Sequence, residues 1–406
     1  MLKYIVSFVV LTFLMLSCAE NKPILSEGIW LAELKVMDDQ RLPFNFKLTK
    51  EAGDYKAEIY NATEVIKITE ITIINDSITM FLPVFEAYLK GIFTVNTISG
   101  VFHNESLDRT LNFSAKFGET NRFSGDQNPT QMISGVWETR FSRDSPEEYS
   151  GKGIFVQNDH KVSGTFRTTT GDYRFLEGIV TGDSLKLSAF DGSHAYLFLA
   201  KIKDSILEGS FYSGNDYKEP FTAKRNEVFE LPNEDALTFM KEGYENFDFS
   251  FPDETGKMVS LSDPQFQGKP AIIQIMGTWC PNCLDETKFL VDFLKQYNDM
   301  EISVIGIAFE HAKTKEKAFN SIQKLKNRIG VPYPILLAQY GSIDKQEAQQ
   351  KLPMLNHVLS YPTTIFIDKK AKVRKIKTGF NGPATGDKYL NFKKEFKEFV
   401  TTLVNE

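Results

Sequence analysis

The stretch Ala271–Glu286 constrains the fold of this chain more than any other. Its first six residues, Ala271 to Met276, are almost wholly apolar and are bounded by Pro and Gly, as a buried strand would be. Phe289, Leu290, Phe293, Leu294 and Tyr297 then recur at helical spacing, so Cys280 and Cys283 lie where a strand hands over to a helix. There the first sulfur faces the unpaired N–H groups and positive dipole end of the helix, which favour thiolate over thiol. The second, one turn on, is placed to close a disulfide. Cys280 is therefore expected at the exposed edge as the attacking thiol, with Cys283 more buried and resolving the mixed disulfide. Pro281 suits the first turn of the helix, Asn282 is positioned to tune hydrogen bonding at the sulfurs, and Trp279 is expected to shield the pair and line a groove.

Trp279-Cys280-x-x-Cys283, Glu286 three residues later, and Tyr361-Pro362-Thr363-Thr364 before the apolar run Ile365–Ile367 together resemble the thioredoxin-like family. The similarity is to membrane-tethered thiol–disulfide oxidoreductases of the TlpA/ResA type and covers roughly residues 244 to 406. It implies an α/β thioredoxin-like domain over 247–406 that uses its two cysteines without a cofactor or metal. It also implies a cis Pro362 that with Tyr361 shapes the substrate groove, and Glu286 as the group that moves protons to and from the pair. The partners implied are a disulfide-containing protein or small molecule and an upstream thiol donor. Two departures matter. The residues between the cysteines are Pro281 and Asn282, so redox poise does not transfer, and Gln274 stands where thioredoxin has a buried Asp. An additional polar helical stretch around Asp344–Gln350 is expected to cover part of the groove, whereas His311 and His357 read as surface or loop residues. Peroxiredoxins share the fold, but their Pro-x-x-x-Thr-x-x-Cys pattern would need Pro and Thr where this chain has Ile273 and Gly277.

With 406 residues the chain exceeds one ordinary domain of about 150 residues. A net charge of −6 and the lack of a strong basic cluster argue against nucleic acid, which needs phosphate neutralisation. The three cysteines, Cys18, Cys280 and Cys283, leave no framework of structural disulfides, and no histidine completes a zinc set with them.

Residues 1–17 read as a signal peptide: one positive charge at Lys3, then an apolar run of about 13 residues, short of the roughly 20 that span a bilayer. Leu14-Met15-Leu16-Ser17-Cys18 resembles a bacterial lipobox, which implies lipidation of Cys18 and a membrane-anchored protein on the exported, periplasmic side of the cell envelope. Persistent disulfide chemistry fits that compartment. After a short tether, alternation takes over, as in Phe44, Phe46 and Leu48 against Asn45, Lys47 and Thr49, and short strands punctuated by turns run to about Arg225. The region is internally repeated. Gly28-Ile29-Trp30 recurs as Gly135-Val136-Trp137, and Asp76-Ser77 as Asp183-Ser184, both displaced by 107 residues, while Phe113 and Ala115 match Phe221 and Ala223 at 108. This predicts an N-terminal all-β part of two β-meander repeats, 28–118 and 134–225, each closing as a barrel or half a sandwich around Trp30 or Trp137. An acidic linker, 226–246, with a short helix at Glu234–Glu242, should follow. The repeats are expected to fold without the C-terminal domain, and on a second reading they grip a surface partner and make the protein a scaffolding lipoprotein.

Overall fold

The computed structural model describes residues 24–406 of the chain; the expected signal peptide and Cys18 lie outside them. Among the described residues no helix is long and apolar enough to cross a membrane.

Two antiparallel meanders precede an α/β domain. In the first, the strand Gly28–Lys35 pairs with its successor Arg41–Glu51 and with the last strand, Arg109–Phe117, so the sheet curls round on itself. It forms an incomplete barrel, unpaired at the seam between Glu64–Ile68 and Glu70–Ile74, the two ends of the strand order. In the second, Gly135–Phe141 likewise joins Tyr149–Asn158 and Tyr217–Arg225, and the pairing of Tyr149–Asn158 with Lys161–Thr168 closes the barrel. Closure removes the exposed sheet edge. Trp30 and Trp137 are fully buried in equivalent places, and each donates its indole N–H to the carbonyl four residues earlier, Ser26 at 3.1 Å and Ile133 at 2.8 Å.

The barrels are packed together rather than strung on a tether. Phe190 of the second barrel inserts into the core of the first, 4.5 Å from Phe44 and edge-on to Phe102 at 4.9 Å between ring centres. Its backbone is held on both sides by Asn61, which donates from Nδ2 to Phe190 O at 2.9 Å and accepts at Oδ1 from Phe190 N at 3.1 Å.

The C-terminal domain has a five-stranded sheet. In chain order its elements are β1 (Ala271–Met276), α1 (Pro281–Gln296), β2 (Ser303–Glu310), α2 (Lys315–Ile329), β3 (Ile335–Tyr340), α3 (Lys345–Lys351), β4 (Thr363–Ile367), β5 (Val373–Thr378) and α4 (Asp387–Asn405). β1 is central and buried along its whole length, which explains its unbroken apolar run. It pairs parallel to β2 and antiparallel to β4. α4 buries Phe392, Phe396, Val400 and Leu403, whereas Leu390, two residues and so about 200° round the helix from Phe392, is 56% exposed. Ahead of β1 lies a hairpin of two short strands, Phe251–Pro252 and Met258–Val259.

The acidic segment 226–246 is not a free linker. Only Glu234–Ala236 is helical, as one 3-10 turn, and Glu234 is buried against Lys377 of β5 while accepting from Asn381 Nδ2 at 3.0 Å. Sequence composition reads exposed acidity there, but burial beside a lysine converts it into an anchor.

Candidate redox site

Cys280 is the N-cap of α1, and its sulfur accepts the Cys283 N–H at 3.2 Å. Its thiol donates to Tyr361 O at 3.4 Å, which brings the segment before Pro362 against the cysteine; the Tyr361–Pro362 bond is cis. Both cysteines are free, and Cys283 is fully buried. Burial, then the neighbouring Cys280, pushes the Cys283 thiol well up. Trp279 stands edge-on to Tyr361, 5.6 Å between centres, and its indole N–H is fixed on Phe309 O at 2.9 Å. Gly277 makes this possible, since a Cβ there would come within 2.3 Å of that indole nitrogen.

Behind the pair, Glu286 is buried on the first turns of α1. Its carboxylate accepts from Thr364 Oγ1 at 2.6 Å and from Gln274 Nε2 at 2.9 Å. The same Gln274 amide donates to Cys283 O at 3.3 Å, so it ties the acid to the Cys283 backbone. Loss of water raises the Glu286 pKa to about 7, against the lowering effect of those two donors. Gln274 therefore cannot hold a proton itself but orients the group that does. Thr364, which reads in sequence as a plain strand former, is one of the two donors that fix Glu286.

A second buried acid escapes sequence reading. Glu310 closes β2 and accepts from Thr278 N at 2.9 Å and Thr278 Oγ1 at 2.6 Å, and burial lifts it to about 7. The available signal was a carboxylate ending an apolar strand beside the cysteine junction, the edge where sites of α/β sheets form.

One expectation is overturned: Cys280 is not at an exposed edge, being only 6% exposed. The second barrel covers it. The short strand Gly171–Asp172, hanging off Lys161–Thr168, forms a bridge from Gly171 to Phe380. Ser360 Oγ donates to Thr170 O at 3.1 Å, and Gly382 N to Asp172 Oδ2 at 2.6 Å. Asn282 donates to Asp172 O at 3.4 Å instead of bonding a sulfur, and its Oδ1 is buried without a partner. A Cβ on Gly171 would lie 2.2 Å from Asn282 Nδ2, so glycine is what lets the barrel come this close. What remains open is a cavity of about 380 Å³ in which Thr170, Tyr173, His194 and Tyr196 of the barrel face Trp279 and Cys280. Lys345, at the start of α3, lines it too, so the additional helix borders the groove as expected. Pro281 also lines this cavity.

The barrel is locked to α1 by Arg174. This side chain is 4% exposed and reaches Asp285 of α1, Glu64 of the first barrel at 2.7 Å, and Asp191 of its own barrel at 3.2 Å. The sequence offers Asp285 only as an acid that complements the helix dipole. Its partner lies more than a hundred residues away, and no local pattern announces it.

Both sulfurs being sheltered, alkylation should be slow and ordered. Brief treatment of the reduced protein with limiting iodoacetamide near neutral pH should label Cys280 before Cys283, because Cys283 is wholly enclosed and its thiol is held protonated. Peptide mapping that finds Cys283 labelled first would reverse the assignment of roles.

Residues 243–376 match the model of the AhpC/TSA family, and both barrels lie outside that match. The thioredoxin-like protein YneN of Bacillus subtilis is 29% identical over 140 residues, 34% of this chain and 73% of the relative. The thiol-disulfide oxidoreductase ResA of Geobacillus kaustophilus is 30% identical over 132 residues, 32% of this chain and 66% of its own length. Among solved structures, a thiol:disulfide interchange protein of the thioredoxin family from Chlorobium tepidum aligns with 38% of this chain and 97% of its own, at 20% identity and a TM-score of 0.27.

Proposed function

We propose, proceeding from a C-terminal thioredoxin-like domain of the AhpC/TSA family, that the protein is a thiol–disulfide oxidoreductase that reduces disulfides with Cys280 and Cys283. The observation that carries this is the arrangement at the head of α1: a capping sulfur, Cys280, beside the Tyr361–Pro362 segment, a free buried partner, Cys283, and an acid, Glu286, joined to it through Gln274. Cys280 attacks a substrate disulfide, Cys283 resolves the mixed disulfide, and Glu286 takes the proton that Cys283 must lose. An upstream thiol donor then returns the pair to the dithiol. We read the protein as exported and held to a membrane through a lipidated Cys18, a reading that rests on the sequence around that residue.

A thiol peroxidase is the weaker reading, since Ile273 and Gly277 replace the Pro and Thr such enzymes need before the attacking cysteine. A separate scaffolding role for the barrels is also weaker, because the second barrel spends its surface on the cysteine pair itself.

Two measurements test the proposal. The reduced protein should reduce insulin or a small disulfide, and Cys280→Ser should abolish it; retention of activity by that variant would remove the cysteine pair from the mechanism. Equilibration against dithiothreitol and glutathione buffers should place the couple nearer thioredoxin, about −270 mV, than disulfide isomerases, about −180 mV. A value at or above the latter would make the protein an oxidant or isomerase instead.

A further inference from the structure

We propose that His194, oriented by Asp191, is a catalytic acid–base residue that the second barrel supplies to the redox site, giving a proton to the thiolate that leaves when Cys280 opens a disulfide. This rests on the disulfide-reductase reading above and adds to it a residue from outside the thioredoxin-like domain.

His194 sits in the loop between the strands Ser184–Phe190 and Ala195–Lys203, and this loop is built around one carboxylate. Asp191 Oδ1 accepts from the backbone N–H of Ser193 at 2.9 Å and of His194 at 2.6 Å. Its Oδ2 accepts from His194 Nδ1 at 3.2 Å. Although burial opposes ionisation, His194, Arg174 and the Ser193 N–H hold the Asp191 carboxyl down to about 2, so it is a carboxylate at any working pH. The ring also lies flat on Tyr196, 4.4 Å between centres at 18°. A histidine fixed through Nδ1 by a buried carboxylate keeps Nε2 for chemistry, and Nε2 has no hydrogen-bond partner among the described residues.

The loop is also pinned at the right place. Ser193 Oγ donates to the carbonyl of Trp279, the residue before the attacking cysteine, at 3.2 Å, and His194 lines the same cavity as Cys280. Neither Glu286 nor Glu310 lines that cavity. Of the other charged groups there, Asp172 is occupied by the N–H groups of Gly382 at 2.6 Å and Arg174 at 2.9 Å, and Lys345 approaches from α3. Arg174 meets the same Asp191 oxygen as His194, Oδ2 at 3.2 Å, and does not line the cavity. The second barrel thus brings His194 to the substrate side of the pair as a proton carrier, opposite Lys345 of α3, while Glu286 serves the resolving side.

The step balances simply. The Cys280 thiolate attacks one sulfur of R–S–S–R′; the Cys280–S–S–R bond forms, the substrate S–S bond breaks, and R′S⁻ leaves as R′SH with the proton from His194 Nε2–H. Cys283, deprotonated, then attacks Cys280 Sγ, forming the Cys280–Cys283 disulfide and releasing RS⁻. The substrate gains two electrons and the cysteine pair loses two. In the reverse direction neutral His194 takes the proton of the attacking thiol.

General-acid help matters most when the leaving thiolate is basic and little when it is already stable. The test is a single-turnover comparison of the reduced full-length protein, His194→Gln and His194→Asn with two disulfides: 5,5′-dithiobis(2-nitrobenzoate), an aryl disulfide with an acidic leaving thiol, and hydroxyethyl disulfide, an alkyl one. With the alkyl disulfide the variants should lose about a hundredfold in rate, the lower end of general acid catalysis, while the aryl rate stays close to that of the unaltered protein. Equal losses on both substrates, or no loss on either, would overturn the assignment of His194. If both variants fail to fold, the unaltered protein still decides: across alkyl and aryl disulfides its rate should depend weakly on leaving-thiol acidity, and a steep dependence refutes the acid. Failure of the unaltered protein to reduce either disulfide would instead defeat the reductase reading on which this one stands.

Discussion

Replacing Arg174 by Met should destabilise the protein by about 3–5 kcal/mol, the usual cost of removing one partner from a buried ionic cluster. The guanidinium is 4% exposed and is surrounded by Asp285, Glu64 and Asp191, with Asp172 also within its field. Without it, carboxylates from both barrels and from α1 face one another in a space that excludes water. Burial already raises the Glu64 and Asp172 carboxyls, and Arg174 is the main opposing influence on each. The loss should thus be greatest at neutral and alkaline pH and shrink in acid, where the stranded carboxyls take up protons. Cys280 should also become more reactive to iodoacetamide in the variant, because Arg174 fastens the covering barrel to the helix that begins at that cysteine. Urea unfolding at two pH values measures the first effect and alkylation rate the second. A change below about 1 kcal/mol, as expected of an ordinary surface substitution, would show that Arg174 is not the lock.

The second large effect concerns pH. Burial raises Glu286 from an unfolded value near 4.5 to about 7, and Glu310 likewise. An acid that binds its proton more tightly when folded stabilises the native state while protonated. Stability is therefore fully present below the unfolded value and falls as pH rises from about 4.5 to 7, at about 1.4 kcal/mol per unit for each group. For Glu286 the whole interval amounts to about 3 kcal/mol. Glu286→Gln removes that loss, and its amide can turn its oxygen to Gln274 Nε2 and its NH₂ to Thr364 Oγ1, exchanging hydrogen bonds to an acid for weaker neutral ones at a cost of about 1 kcal/mol. The variant should accordingly be less stable than the unaltered protein near pH 4.5 and more stable, by about 2 kcal/mol, near pH 8. Denaturant melts of the reduced proteins at both pH values decide it; a variant that is weaker by the same amount at both would mean that Glu286 is not buried as an acid. The part of the pH slope that Glu310 carries should remain.

Much of this protein was legible in its sequence because its determinants are local. The apolar run of β1, the helical spacing of α1, the Cys280–Cys283 interval and the segment at Pro362 each act within a few residues, so pattern yields two sulfurs at a helix head and resemblance to a known family supplies the thioredoxin-like domain. The same holds for the repeated β part, where alternation and the recurrence of Trp30 as Trp137 announce two similar sheets. Tertiary structure alone decided what covers the cysteines. Gly171, Arg174 and His194 lie about a hundred residues before Cys280, in stretches whose local pattern says only strand and turn. Composition suggested that barrels and redox domain were separate bodies, but the interface that joins them is held by close backbone approach at Gly171 and by one buried arginine among carboxylates. A sequence shows the charge of Arg174 or Asp285 but not the dielectric around it. Only folding, by removing water from Glu286, Glu310 and the Arg174 cluster, gives those side chains their energetic weight.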